Sequence, residues 1–415
     1  MRHLELLRRL AQPNDSKIVL LVLDGVGDIR TAEQPQTALE AANLPHLDAL
    51  AGRSALGRLV PVYPGVTPGS GPGHLGLFGY DPSDPQVDIG RGILEAIGEG
   101  LPIGPGDVAA RGNFATADRA GLLTDRRAGR IPTEECERLC KGINLALAAA
   151  FETSPIPGLA VHVAPGEGHR FVLHLQGKID GAPLSAAIAD TDPQQLEVAP
   201  LAVQATTPEG EATAAAIARI VEIIERTIVE EPRANRALLR GFSQLPHLPQ
   251  IPDLYKLRAG AFAGYPLYRG AAAASGMEIV PCGKKFGEIV KVVVESWDRF
   301  DFFFLHVKQT DQAGEDGNLA AKIQVLEDVD AHLPELLALG PDVVAVTGDH
   351  STPAPMKAHS WHPVPLLIHS AICSFGFADD FSERACAHGE IGTIPSYQMM
   401  SLLLANASRL AKFGA

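Results

Sequence analysis

The sequence predicts an α/β fold in which a mostly parallel sheet, flanked by helices, is interrupted by a smaller inserted α+β domain. Three observations lead there. Apolar runs of strand length stand at 18–23, 302–307 and 343–347, the pattern of strands buried on both faces. Helical segments alternate with these strands at both ends of the chain. Between the ends lies an arginine-richer block with an alternating strand pattern and one long amphipathic helix. The core is therefore expected at 1–110 and 241–415, and the insert at 111–240.

Residues 1–12 (MRHLELLRRLAQ) place leucines at 4, 7 and 10 with arginines between. That is an amphipathic helix without the continuous apolar centre of a signal peptide. The first strand, 17–23, ends at Asp24-Gly25, and 44–52 reads as a short helix. Gly65 to Leu75 (GVTPGSGPGHL) reads as a rigid, shaped loop, because proline fixes φ and glycine permits close backbone approach. Gly90 opens a turn into another helix. Within the insert, 170–175 alternates like a half-buried strand. A helix begins at Thr207 as N-cap, with Pro208 in its first position. Ile217, Ile220, Val221, Ile224 and Ile228 form its apolar stripe, and Pro232 stops it. The run 302–307 then leads to Asp311, 343–347 to Gly348-Asp349-His350, and 363–368 follows His359. Helices are expected near 318–339 and 397–410.

Composition narrows the function classes. A chain of 415 residues, 46% hydrophobic and 20% charged, suits two domains with ample core. A net charge of −14 argues against a nucleic-acid surface. The apolar runs fall far short of the ~20 residues a membrane span needs. Five cysteines, Cys136, Cys140, Cys282, Cys373 and Cys386, form no paired framework and fit a reducing, cytoplasmic setting. Cys136 and Cys140 could share a helix face, but no second ligand pair follows to complete a metal site. The expected partner is a small molecule, with no nucleic acid and no membrane.

The chemistry concentrates at strand ends. Asp24, Asp311 with Glu315, and Asp349 with His350 each follow a strand, and His359 precedes a fourth. In open parallel sheets the carboxyl ends of strands converge on the ligand crevice. Mixed Asp, Glu and His donors suit Mn²⁺ or Zn²⁺, with Mg²⁺ also compatible, and the set has enough donors for two ions. Two ions could clamp an in-line phosphoryl displacement and activate a serine hydroxyl. Ser70, flanked by Pro68, Gly69, Gly71, Pro72 and Gly73, is either a turn residue or that nucleophile. His74 next to it reads as a structural, hydrogen-bonding histidine.

The segments VLLVLDG (19–25), TPGSGPGHLGLFGYDP (67–82), HVKQTDQAGEDG (306–317) and VTGDHSTP (346–353) resemble the archaeal-type 2,3-bisphosphoglycerate-independent phosphoglycerate mutases of the alkaline phosphatase superfamily. RGNFAT (111–116), DRRAGRI (125–131), GHRFVL (168–173) and AHSWHPVP (358–365) extend the likeness over nearly the whole chain. It implies an alkaline phosphatase-like core and a metal-dependent isomerase of glycolysis and gluconeogenesis. Such an enzyme interconverts 3-phosphoglycerate and 2-phosphoglycerate through a phosphoserine, without 2,3-bisphosphoglycerate. By the same resemblance Ser70 carries the phosphate. Asp24, Ser70, Asp349 and His350 would hold one metal, and Asp311, Glu315 and His359 the other, with Mn²⁺ favoured. The superfamily pattern has histidine where Glu315 stands, a harder ligand that would change metal preference or weaken the second site.

The resemblance also gives the arginines a purpose, since guanidinium forks bind phosphate and carboxylate in bidentate fashion. Arg111, Arg126, Arg130, Arg170 and Arg240 match motif positions, with Asn113, Arg127, His169 and Lys308 behind them as substrate contacts. Asp125 could shuttle protons as general acid and base, or could simply cap a turn. The rival reading keeps the site but makes it a phosphatase or a homoserine kinase-like phosphotransferase. A non-catalytic relative is disfavoured by the retained nucleophile and ligands.

Overall fold

The computed structural model describes residues 2–414 except 88, 247 and 377, and the side chain of residue 91 is also left aside. In chain order the strands are β1 (Ile18–Leu23), β2 (Ala55–Val60), β3 (Val108–Ala117), β4 (Leu123–Asp125), β5 (Leu159–Pro165), β6 (Arg170–Ile179), β7 (Ala182–Pro183), β8 (Arg236–Gln244), β9 (Ala259–Ala263), β10 (Glu278–Ile279), β11 (Phe302–Val307), β12 (Val343–Thr347), β13 (Val364–Ser370) and β14 (Gly392–Pro395). They divide between two compact units, Met1–Asp88 with Leu248–Ala415, and Ile89–His247. The boundaries expected from sequence, 110/111 and 240/241, would cut β3 and β8. Those two strands are hydrogen-bonded to each other, so the division falls outside them.

The first unit is built on an eight-stranded sheet ordered β10-β9-β11-β1-β12-β13-β2-β14. Neighbouring strands from β10 to β12 run parallel. Every residue of β1, β11 and β12 is buried, as the unbroken apolar runs require when helices cover both faces. Helices Phe286–Ser296 and Leu319–Leu337 contribute Ile289, Val290, Val293, Leu326, Val329, Leu333 and Leu336 to one core cluster with Val19, Leu21 and Phe303. Asn318 starts the second of these helices by accepting a hydrogen bond from the Ala321 N–H.

Two departures position the site. β13 runs antiparallel to β12 and β2. The segment that precedes it therefore returns to the edge where the parallel strands end, and this brings His359 to that edge. The Gly65–Leu75 run is only partly a loop, since Ser70 is the first residue of an α-helix, Ser70–Leu77, with Gly69 as N-cap. Its glycines serve packing more than turning. A Cβ on Gly73 would stand 2.5 Å from the Asp349 carbonyl oxygen, so only glycine lets this helix lie against the β12 turn.

The second unit carries a six-stranded sheet in which all pairings are antiparallel. Helices Thr133–Thr153 and Glu211–Ile228 pack on it through Cys136, Leu139, Ile143, Ile217, Ile220 and Ile224. The second helix is preceded by a short 3₁₀ turn, Pro208–Gly210, with Thr207 at its N-cap. It ends at Ile228, before Pro232. The alternation expected at 170–175 does not appear, because 171–175 are all buried. His174 tolerates that burial by pairing its Nε2 with Asp107 Oδ2 at 2.9 Å.

Candidate active site

All the residues expected to hold metal lie in the first unit, and most of them meet at the sheet edge. Asp24 follows β1, Asp349 and His350 follow β12, and Asp311 sits in helix Gln309–Glu315 after β11. All four are buried. His350 Nε2 lies 3.2 Å from Ser70 Oγ, 3.3 Å from Asp24 Oδ1 and 3.2 Å from Asp349 Oδ2. Asp24 Oδ1 and Asp349 Oδ2 are buried without a hydrogen-bond donor among the described residues. Donors about 2.0–2.1 Å from one cation stand about 3.0–3.4 Å apart, so these spacings fit a shared ion. Lone pairs turned on one another in a buried site are otherwise costly.

A second group adjoins it. His359 Nε2 is 3.4 Å from Asp311 Oδ1 and 3.7 Å from Glu315 Oε1, and its Nδ1 faces the Pro68 carbonyl at 3.0 Å. Glu315 is half exposed, at the rim. His350 Nδ1 also comes within 4.0 Å of Asp311 Oδ1, but that nitrogen faces the Thr352 hydroxyl at 3.0 Å. His350 therefore belongs with the first group.

Protonation follows the crowding of charge. Burial works to raise Asp24, yet Lys308, His306 and His350 hold it well below the usual carboxylate range. Burial likewise opposes the ionisation of Asp311, but the His359 hydrogen bond and Lys308 bring it to about 2. For His359 burial disfavours the cation, and Asp311 with the Pro68 carbonyl overrides this, lifting it to about 9. Lys308, expected among substrate contacts, has its Nζ 2.5 Å from Asp311 Oδ2 and 3.3 Å from Asp24 Oδ2. It bridges the two ligand groups.

Three residues missed in the sequence complete the surroundings. His306, on β11, sits 3.0 Å from Asp24 Oδ2 and stacks on Tyr268 with ring centroids 3.7 Å apart. The Tyr268 side chain interacts with Asp24 and Ser70. Burial, then the nearby Asp24 and Asp349 charges, hold its phenol well above the usual value. Thr352 donates to Asp311 Oδ1 at 2.6 Å. His74 is buried, with Nδ1 2.8 Å from the Ser70 carbonyl and 3.2 Å from Asp349 Oδ2.

In the second unit the arginines sort into two sets. Burial first, then the charges of Arg170, Arg111, Arg127 and Arg130, push His169 down to about 4. Four guanidinium groups thus act on one imidazole. Asn113, paired with Arg170 across β3 and β6, keeps a buried Oδ1 without a hydrogen-bond partner among the described residues. Arg126 instead forms a fork with Asp192, at 2.8 and 2.7 Å, and Arg240 lies 3.5 Å from Asp190 and 3.6 Å from Asp192. Asp125 is a turn cap: its two oxygens accept the Arg127 and Gly129 N–H groups at 2.7 Å each. Each oxygen keeps a further lone pair, so the cap is compatible with the proton shuttle the sequence allowed. The turn it caps places Ala128, Gly129 and Arg130 at φ of 49°, 62° and 53°, a left-handed run that costs energy for the two non-glycine residues.

The chain is similar to known proteins along nearly its whole length. A family model described as 2,3-bisphosphoglycerate-independent phosphoglycerate mutase matches residues 51–234. A Thermotoga neapolitana protein named "Probable 2,3-bisphosphoglycerate-independent phosphoglycerate mutase" is 47% identical over 407 residues, 98% of either chain. The solved structure of a Pyrococcus horikoshii protein matches with a TM-score of 0.81 at 28% identity, covering 97% of this chain and 100% of that one. That of a cofactor-independent phosphoglycerate mutase from Thermoplasma acidophilum gives 0.68 at 29% identity, covering 94% and 100%. On that near-complete coverage, the chain belongs to the 2,3-bisphosphoglycerate-independent phosphoglycerate mutases.

Proposed function

We propose that this chain is an isomerase interconverting 3-phosphoglycerate and 2-phosphoglycerate through a phosphoserine at Ser70. The observation that carries the reading is the convergence of Ser70 Oγ, His350 Nε2 and the unpartnered oxygens of Asp24 and Asp349. Asp24, Ser70, Asp349 and His350 would hold one divalent ion, and Asp311, His359 and Glu315 a second. Mn²⁺ suits this oxygen-rich donor set best, with Zn²⁺ and Mg²⁺ as alternatives. Divalent ions held by these residues would lower the pKa of the serine hydroxyl and would offset negative charge on the transferring phosphoryl group.

The remaining roles fall to the chain's own groups. Ser70 stands at the N-terminus of its helix, where the backbone dipole favours an anion. Lys308 stabilises the ligand carboxylates and offers an ammonium to the phosphate. Arg111, Arg127, Arg130 and Arg170, with His169 and Asn113, have the chemistry to grip the carboxylate and phosphate of the substrate, which makes 89–247 the substrate-binding unit. Arg126 and Arg240, which pair with Asp192 in this structure, complete the set of candidate substrate contacts.

Among the described residues no helix is long and apolar enough to cross a membrane. With five free cysteines, three of them buried, the chain suits the reducing cytoplasm. Coupling to enolase tests the activity. Metal-dependent formation of enolpyruvate phosphate from 3-phosphoglycerate, without added 2,3-bisphosphoglycerate, is the expected result. Release of inorganic phosphate in its place would assign the site to a phosphatase.

A further inference from the structure

We propose that Thr352 is a positioning residue that sets the ring tautomer of His350 and ties the two ligand groups together. The inference rests on the metal-centre reading above. A threonine hydroxyl carries one proton, and here it is donated to Asp311 Oδ1 at 2.6 Å. Toward His350 Nδ1, 3.0 Å away, the same oxygen can only accept. His350 Nδ1 therefore bears the ring proton, and Nε2 presents its lone pair to Ser70, Asp24 and Asp349. One hydroxyl thus orients a ligand of the first group while bonding a ligand of the second. A partner of this kind raises the basicity of a metal-binding imidazole and fixes its plane.

The rest of the molecule holds Thr352 rigidly. Lys322, fully buried on helix Leu319–Leu337, donates its ammonium to the carbonyls of Thr352 at 2.9 Å, Gly25 at 2.9 Å and Gly27 at 3.2 Å. Three donors meet three acceptors. The Thr352 N–H adds bonds to the Gly25 and Gly27 carbonyls at 3.2 and 3.1 Å. The turn after Asp24 and the turn after His350 are thereby pinned to one ammonium group.

The experiment compares wild type, Thr352→Val and Thr352→Ser by titrating metal-free protein with Mn²⁺ calorimetrically. Valine keeps the shape and removes the hydroxyl, whereas serine restores it. Thr352→Val is expected to bind Mn²⁺ about 10- to 100-fold more weakly, and Thr352→Ser to recover most of that loss. Long-range ¹H–¹⁵N spectra should show His350 protonated at Nδ1 in wild type and lose that signature in the valine variant. Mn²⁺ binding by Thr352→Val as tight as wild type, or a wild-type His350 protonated at Nε2, would overturn the proposal. Failure of wild type itself to bind Mn²⁺ would strike the metal-centre reading instead. If Thr352→Val does not fold, the wild-type tautomer and the Mn²⁺ affinity of Thr352→Ser still decide it.

Discussion

Ser70 Oγ and His350 Nε2, separated by 280 positions in the chain, stand 3.2 Å apart. The pairing sets the expectation for Ser70→Ala. Mutase activity in the enolase-coupled assay should fall on the order of 10³-fold or more, since no other hydroxyl replaces a covalent nucleophile. Circular dichroism should remain that of the wild type. A variant with wild-type turnover would remove Ser70 from the reaction.

Glu315 tests the second ligand group. Its side chain is 54% exposed, so Glu315→Ala should leave the stability of metal-free protein within about 0.5 kcal/mol. Affinity for the more weakly held of two Mn²⁺ ions should drop about tenfold or more. Glu315→His should shift preference from Mn²⁺ toward Zn²⁺, as a softer nitrogen donor replaces oxygen. Competition titrations read both effects, and unaltered affinities would exclude Glu315 as a ligand.

His169 gives the pH dependence of the second unit. Its folded pKa of about 4 lies below the ordinary value of 6.5, so the unfolded chain takes up the proton first. Stability is therefore fully present above about pH 6.5 and declines as pH falls from there through 4. Denaturant midpoints measured over that window should slope downward for wild type and more gently for His169→Gln. Binding of 3-phosphoglycerate near the guanidinium groups should raise the His169 pKa in NMR titrations. An unmoved pKa at saturating ligand would place the anion elsewhere.

Gly73→Ala probes the fit of the helix that carries Ser70. The new methyl would meet the Asp349 carbonyl oxygen at 2.5 Å, and that backbone cannot swing aside. A loss of about 1–3 kcal/mol is expected from such overpacking. Thermal unfolding checks it, and weaker metal binding should accompany the loss because Asp349 is displaced.

Much of the site could be read without coordinates, for a physical reason. Asp24, Asp311, Asp349 and His350 each interrupt or closely follow an apolar strand, and a polar residue placed so abruptly is visible in one dimension. His359 was visible too, although its strand runs the opposite way to the one expected. Residues whose partners lie far along the chain gave no such signal. His306 is embedded in FFFLHV and reads as a core histidine, and Tyr268 sits in an alanine-rich helix. Lys322 reads as a solvent-facing lysine, although three distant carbonyls draw it inside. The arginines of DRRAGR look alike as letters. Only Asp192, 66 positions beyond Arg126, separates the engaged one from its neighbours.

The central place of β1 bears on how the polypeptide is made. Ile18 pairs with Phe302 on one side and Val343 on the other. At translation speeds of about 5–20 residues per second, this apolar segment leaves the ribosome tens of seconds before either neighbour exists. The antiparallel unit at 89–247 draws all its strands from its own stretch, which is synthesised within that interval. β1 therefore emerges without either of its strand partners, and chaperone capture during synthesis should centre on residues 18–23.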